Sequence, residues 1–211
     1  MYRLINSNAP AVVDALRRIG DFREYLHLRA DLAANGSAPA SAEFQRAYRK
    51  YWRMNAARLS PAFYERYFEL LAQYQAVGLT DLERATRVIS DADDANHGLQ
   101  FSFATKLVHM VDPRVPVFDS FVAGFYFFTP PATDRPFDER LTALLMFHQF
   151  LAREYARILD QQLLTPAIGA LRREAELDHD VPDERVIDWL LWAWVSLLRQ
   201  GAQSRGEALF D

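Results

Sequence analysis

The chain has 211 residues, enough for one domain with a sizeable apolar core. It contains no cysteine, which excludes disulfides and disulfide-linked partners, iron–sulfur clusters, cysteine-bound zinc and a thiol nucleophile. Without cysteine or a signal-peptide pattern at its start, and with its longest apolar run (118–128) interrupted by Asp119 and too short to span a bilayer, the chain is expected to be cytoplasmic, with no membrane partner.

Charge is unevenly distributed along the chain. Residues 1–60 contain ten Lys and Arg against five Asp and Glu, and residues 61–211 contain fourteen against twenty-three, for a net charge of −4. This asymmetry predicts a basic N-terminal subdomain, 1–60, within a single domain. Of the 24 basic residues only Lys50 and Lys106 are lysine, so this arginine-biased chain has a side-chain amine at only two positions.

Helix signals follow one another along the chain. Apolar residues recur at helical spacing, and each group is preceded by a capping residue or a proline. The predicted helix starts are Ser7-Asn8-Ala9-Pro10, Asp21, Ser41, Ser60-Pro61, the capping box Thr80-Asp-Leu-Glu83, Asp134 to Asp138, Thr165-Pro166 and Val181-Pro182; the predicted ends are Gly20, Asn35-Gly36 and Gly78. No long segment alternates with period two. The sequence therefore predicts one all-α domain, 1–211, of about nine or ten helices.

Basic and aromatic side chains alternate in the predicted helix 41–57. Arg46, Arg49, Lys50 and Arg53 lie among Phe44, Tyr48, Tyr51 and Trp52. Arginine beside aromatic rings is the composition of a surface that contacts phosphates and stacks on bases, which predicts DNA as a partner. An amphipathic helix with a solvated basic face has the same pattern.

Three other features of the sequence resemble binding sites but have simpler explanations. The acidic loop 91–98 lacks the oxygen spacing of an EF-hand, so helix capping explains it better than a metal. His148 lies among apolar residues and is predicted to be a hydrogen-bonded core histidine. Trp189, Trp192 and Trp194 are predicted to pack the last helix rather than to stack on a ligand. No motif for a metal or a cofactor is present, so the sequence predicts neither.

The stretch 99–126 places charged residues within the most apolar part of the chain. If 99–111 is helical, Ser102, Lys106 and His109 share one stripe, with Thr105 beside it. Asp112-Pro113 ends this helix, and Asp119 is predicted to cap the next one, 120–128. Lys106 and Asp119 are then expected to lie close together. They form either a structural salt bridge or a reactive pair, because a desolvated lysine is a better nucleophile near neutral pH.

Two short motifs in this stretch resemble a known family. Phe103-Ala-Thr-Lys106 and Pro116-Val-Phe-Asp119-Ser-Phe-Val122 are similar to the lysine and aspartate motifs of the helix-hairpin-helix DNA glycosylases, especially their short 8-oxoguanine-glycosylase-like bacterial relatives. The resemblance implies a glycosylase-like core and DNA repair by an N-glycosylase/lyase. In such enzymes the lysine attacks the sugar C1′ and the aspartate helps to expel the base, which implies these roles for Lys106 and Asp119. The Ser102, Thr105 and His109 side chains would line the pocket. The alternative is a non-catalytic helical binding or assembly protein.

Overall fold

The computed structural model describes residues 1–19, 22–34, 36, 38–57, 59–92 and 98–205. Throughout these residues the regular structure is helical, with no strand, so the predicted all-α class is confirmed. The described residues form eleven α-helices, against the nine or ten predicted, and two short 3₁₀ helices, Ala38–Ala40 and Met54–Ala57. The α-helices are α1 (Tyr2–Ser7), α2 (Ala9–Ile19), α3 (Phe22–Ala34), α4 (Ala42–Tyr51), α5 (Pro61–Val77), α6 (Leu82–Asp91), α7 (Phe101–Val111), α8 (Ser120–Phe125), α9 (Phe137–Asp160), α10 (Thr165–Glu174) and α11 (Asp183–Arg205).

The chain divides into two compact units. The first unit comprises Met1–Gly20, Pro113–Asp134 and Ala143–Asp211. The second comprises Asp21–Asp112 and Arg135–Thr142. Each unit is therefore built from segments that are distant in sequence, and neither coincides with the basic segment 1–60.

The core of the first unit is formed by α2, α10 and α11, which pack against one another, and by α8, which packs on α11. Apolar side chains of these helices are excluded from solvent, among them Val12, Leu16, Val122, Leu171 and Leu190. Burial of side chains of this size stabilises a fold by about 1.5–3 kcal/mol each before the entropic cost of ordering them. The hydrophobic effect therefore drives assembly of this unit.

The second unit has an aromatic core between α4, α5 and α7. Tyr48 and Tyr67 are fully buried, and their hydroxyl oxygens are 2.8 Å apart. The Tyr67 hydroxyl donates to the Phe103 carbonyl at 3.1 Å, so Tyr48 donates to Tyr67. This chain of hydrogen bonds satisfies two buried hydroxyls and fixes α7 against α5.

Several predicted helix boundaries are confirmed. The Ser41 hydroxyl accepts from the Phe44 N–H, and the Ser60 hydroxyl accepts from the Phe63 N–H at 3.1 Å. Gly78 ends α5 with a φ of 63°, a left-handed conformation that favours glycine. Asp112 ends α7 in an extended conformation before Pro113.

Other boundaries differ from the prediction. The cap of α6 is Asp81, not Thr80, and its carboxylate accepts from the Arg84 N–H at 2.9 Å. An additional helix, α1, precedes the first predicted one, and Ser7 ends it rather than capping α2. Helix α4 ends at Tyr51 and α8 ends at Phe125. The predicted caps Asp21 and Asn35 and the loop residues 93–97 lie outside the described residues.

None of the described helices is long and apolar enough to cross a membrane.

Candidate functional site

Lys106 lies in the middle of α7, in the second unit, and is partly exposed. Its Nζ is 4.8 Å from the centre of the Phe103 ring, one helical turn away, and 5.9 Å from the centre of the Trp52 ring. A cation at these distances is attracted by the negative face of an aromatic ring. The amine is therefore held at a defined place beside two aromatic rings.

Contacts with neighbouring helices fix α7 on both sides of Lys106. Beside its first turn the Tyr67 hydroxyl binds the Phe103 carbonyl. At its last turn α3 supplies the Tyr25 hydroxyl, 2.9 Å from the His109 Nε2, and the Arg29 guanidinium, which donates to the Met110 carbonyl. Helix-end carbonyls have no partner within the helix, so the Arg29 contact satisfies one of them. The backbone that carries Lys106 is thus rigidly placed.

The three predicted pocket residues differ in exposure. Ser102 is partly exposed, whereas Thr105 and His109 are fully buried. The Thr105 hydroxyl donates to the Ser102 carbonyl at 3.0 Å, and His109 contacts Tyr25. The shared stripe of Ser102, Lys106 and His109 follows from their positions on α7. Their role in lining a pocket stays a prediction.

Asp119 caps α8, as predicted, in the first unit. Its Oδ1 accepts from the Phe121 N–H at 2.7 Å, which leaves Oδ2 outside the cap. The Asp119 side chain is partly exposed. Because Lys106 belongs to the other unit, the predicted pairing of the two residues stays a prediction.

The extended residues before Asp119 are held by two side chains of the first unit. The His148 Nε2 lies 2.8 Å from the Pro116 carbonyl oxygen, and because a carbonyl only accepts, this nitrogen carries the proton. The Val117 N–H donates to the Asp188 Oδ2 at 3.2 Å. His148 is thus hydrogen-bonded, as the sequence predicted, although its side chain is partly exposed rather than within the core. Burial lowers the pKa of His148, which favours the neutral ring.

Asp188 is the centre of a buried polar network that the sequence analysis missed. Its Oδ1 accepts from the Tyr155 hydroxyl at 2.5 Å, and its Oδ2 lies 3.6 Å from the Arg185 guanidinium. Burial raises the pKa of Asp188 to about 6, although Arg185, Tyr155 and the Val117 N–H oppose the shift. A signal was present in the sequence, because Arg185 and Asp188 interrupt an apolar run at a spacing that places them on one helix face.

The four predicted DNA-binding residues differ in position and in exposure. Arg46, Arg49 and Lys50 lie on α4, whereas Arg53 follows the helix with a φ of 53°. Arg46, Lys50 and Arg53 are exposed. Arg49 is engaged within the protein, because its guanidinium lies 3.8 Å from the centre of the Tyr64 ring and its Nε donates to the Asn55 side chain at 3.0 Å. Arg46 and Lys50 are therefore the cations of α4 best placed to reach a phosphate.

The three tryptophans of α11 are not equivalent. Trp189 is buried, and the Arg185 guanidinium lies over its ring. Trp192 and Trp194 are partly exposed. The Trp192 ring stacks on Phe121 with an interplanar angle of 14° and a centroid distance of 5.8 Å. Trp192 therefore packs α11 on α8, next to the Asp119 cap.

Within the described residues no group of three His, Asp or Glu side chains could hold a metal ion. A groove of about 480 Å³ in the second unit is lined mainly by α3 and α4 and contains none of the predicted site residues. Its polar lining is largely acidic, from Glu24, Asp31 and Glu43, which is unfavourable for a phosphate. The candidate chemistry therefore depends on Lys106 and Asp119.

No family model, curated protein or solved structure matches this chain.

Proposed function

We propose that the protein is a DNA glycosylase-like enzyme that removes a damaged base, with Lys106 as the nucleophile and Asp119 as the carboxylate that assists departure of the base. The observation that carries the proposal is the placement of Lys106. One of only two lysines in the chain lies partly exposed on a rigidly held helix, with its amine beside the rings of Phe103 and Trp52. The resemblance of the motifs around Lys106 and Asp119 supplies the reaction.

The reaction requires a stabilised sugar cation and a neutral amine, so Lys106, whose charged form the Phe103 and Trp52 rings favour, must lose a proton before it attacks. The Lys106 nitrogen would attack the sugar C1′ while the bond from C1′ to the base breaks; the base leaves with the electron pair and takes up a proton, and the attacking nitrogen releases one. A carboxylate near the sugar stabilises the positive charge that develops on it. Opening of the sugar ring then yields a Schiff base between Lys106 and C1′. Asp119 suits this stabilising role, because the helix cap fixes one of its carboxylate oxygens and the other oxygen lies outside the cap.

Borohydride trapping tests the nucleophile. A Schiff base is reduced by borohydride to a stable amine, so wild-type protein incubated with duplex DNA that contains an abasic site should form a covalent adduct visible on a denaturing gel. Lys106→Gln should abolish the adduct. Lys50→Gln is the matched control, because it removes the only other lysine and should still form the adduct at saturating DNA, where loss of one phosphate contact does not limit the reaction. An adduct that persists in Lys106→Gln would show that another amine reacts and would contradict the assignment.

Replacement of Asp119 tests the carboxylate. Asp119→Asn should slow removal of a damaged base while retaining the fold, because asparagine caps a helix about as well as aspartate. Melting of the variant, followed by circular dichroism, provides the control for folding. Base removal at the wild-type rate would show that Asp119 is only a helix cap.

A second candidate is a non-catalytic binding or assembly protein. The observation that favours it is the 2.7 Å hydrogen bond between the Asp119 carboxylate and the Phe121 N–H, because a capping role accounts for the aspartate without any reaction. This candidate predicts no adduct from the wild-type protein. The trapping experiment therefore separates the two functions.

A further inference from the structure

The peptide bond between Pro116 and Val117 is held at both of its polar groups. The Pro116 carbonyl accepts from the His148 Nε2 at 2.8 Å, and the N–H of the next residue, Val117, donates to Asp188 at 3.2 Å. These two groups belong to one planar unit and point in opposite directions in a trans peptide. There is no cis peptide among the described residues. His148, on α9, and Asp188, on α11, therefore hold this plane from opposite sides.

The Asp188 side chain is itself fixed. Asp188 is 4% exposed, and Tyr155 and Arg185 bind the same carboxylate. The neighbour of His148 on α9, Phe147, packs edge-on against Phe118 with ring centres 6.0 Å apart. Val117 and Phe118 are buried as well. The segment thus has its backbone oriented by hydrogen bonds and its side chains held by packing.

This segment leads directly into Asp119. Only Phe118 lies between Asp119 and Val117, the residue at which the held peptide plane ends, and on the other side the Phe121 N–H fixes the Asp119 Oδ1. Phe121 in turn stacks on Trp192 of α11. The Asp119 carboxylate is therefore positioned from the residues that precede it as well as from the helix that follows it.

We infer that His148 and Asp188 are positioning residues for Asp119. Their hydrogen bonds to the peptide group between Pro116 and Val117 determine the position of the Asp119 carboxylate relative to the substrate. This inference rests on the proposed function, because it assumes that Asp119 acts in removal of the base. Neither side chain needs to touch the substrate. A displacement of about 1 Å in a reacting group can lower a rate by about 100-fold, so the precision of this grip affects catalysis.

The test compares two steps, one that requires Asp119 and one that does not. Removal of a base needs the carboxylate, whereas trapping on a preformed abasic site needs only the amine. The substrates are duplexes that contain 8-oxoguanine, uracil or hypoxanthine, and a duplex that contains an abasic site. Single-turnover base removal is measured on whichever damaged duplex the wild-type protein processes fastest.

His148→Leu removes the hydrogen-bond donor and replaces the imidazole with an apolar side chain of moderate size. It should slow base removal by about 10- to 100-fold and leave the rate of adduct formation on abasic DNA unchanged. His148→Gln retains an N–H donor at about the same reach and should restore most of the lost rate. Ile158→Ala, a buried change farther along α9, is the control for a general loss of stability and should not separate the two steps.

Backbone amide exchange provides a readout besides activity. The Val117 and Phe121 amides should exchange faster in His148→Leu than in the wild-type protein, and His148→Gln should return them toward the wild-type rate. Base removal at the wild-type rate in His148→Leu, or equal slowing of both steps, would overturn the positioning role alone. A wild-type protein that removes no base from any of the duplexes would overturn the proposed function and this inference with it.

Discussion

Asp188 is a carboxylic acid enclosed by protein, with Tyr155, Arg185 and the Val117 N–H as partners and Asp119 as a nearby carboxylate. Burial removes the water that would stabilise its charge, and this effect raises its pKa from 3.8 to about 6. The folded protein therefore binds the proton more tightly than the unfolded chain. Its contribution to stability is fully present below about pH 3.8 and is lost as the pH rises to about 6.

Asp188→Asn should remove this dependence on pH. At about 1.4 kcal/mol per pKa unit, the wild-type free energy of unfolding should fall by about 2 kcal/mol relative to that of Asp188→Asn between pH 4 and pH 7, because part of the effect lies below pH 4. Urea unfolding of both proteins at several pH values measures the difference. Below about pH 6 the wild-type Asp188 is itself protonated, so Arg185 loses a charged partner in the variant only at the upper end of this range. A constant difference across this range would contradict the assignment of the shift to Asp188.

At the level of the helices, local capping chemistry made several boundaries predictable. Ser41, Ser60 and Asp119 were predicted as caps and each accepts from a backbone N–H of its first turn. The prediction that Thr80 caps α6 was wrong. The adjacent Asp81 carboxylate is the stronger hydrogen-bond acceptor, and a shift of one residue changes the cap. The end of α4 at Tyr51 could not be predicted, because Trp52 is buried against Tyr48 and His109, contacts that only the tertiary structure creates.

The end of α8 carries a local conflict between sequence and conformation. Phe127 adopts a φ of 57° and is 79% exposed, while the Phe128 N–H donates to the Ala123 carbonyl at 2.9 Å. This is a left-handed helix end, where glycine is the favoured residue. The left-handed region costs a residue with a side chain about 1–2 kcal/mol, and the exposed ring offers little burial in return.

Phe127→Gly should therefore raise the free energy of unfolding by about 1 kcal/mol, the relief of strain less the entropy that glycine gains in the unfolded chain. Chemical denaturation of the two proteins measures the change. Phe127→Ala is the matched control, because it removes the ring but keeps the strained Cβ and should not stabilise the protein. A stability equal to or below that of the wild-type protein in Phe127→Gly would show that the exposed ring itself contributes to folding.

Gly78 provides the opposite case at the end of α5. Its φ is 63°, and a Cβ added there would meet no atom within 4 Å, so the effect of a side chain would come from the backbone alone. Gly78→Ala should lower the free energy of unfolding by about 1 kcal/mol. An unchanged midpoint of denaturation would mean that the helix end rearranges to accept alanine.

At the level of the whole molecule, periodicity predicted the all-α class but not the division into two units. The first unit combines the N-terminal residues with two later segments, and long-range assembly of this kind leaves no local pattern in a sequence. The same limit applies to the candidate site. The helix positions of Lys106 and Asp119 could be predicted from spacing and capping, whereas the grip of His148 and Asp188 on one peptide bond depends on helices that are 32 and 71 residues away in the chain.

The distribution of charge is also a property of the whole molecule. A net charge of −4 opposes binding to DNA in general, so the proposed function requires a local basic surface that contacts DNA. Arg46 and Lys50, both exposed on α4, are the best candidates for phosphate contacts. Each phosphate contact by a cation releases a counterion, and the affinity then falls as salt rises.

DNA affinity measured at several salt concentrations tests this surface. For the wild-type protein the logarithm of the binding constant should fall linearly with the logarithm of the salt concentration, and Arg46→Gln with Lys50→Gln should reduce the slope by about 2, close to 0.9 for each lost contact. Arg66→Gln with Arg84→Gln is the matched control, because it makes the same change in net charge on α5 and α6 of the same unit. Fluorescence anisotropy with a labelled duplex provides the measurement. Equal loss of slope in both double variants would show that DNA responds to net charge alone, and absence of binding at low salt would leave α4 as an amphipathic helix with a solvated basic face.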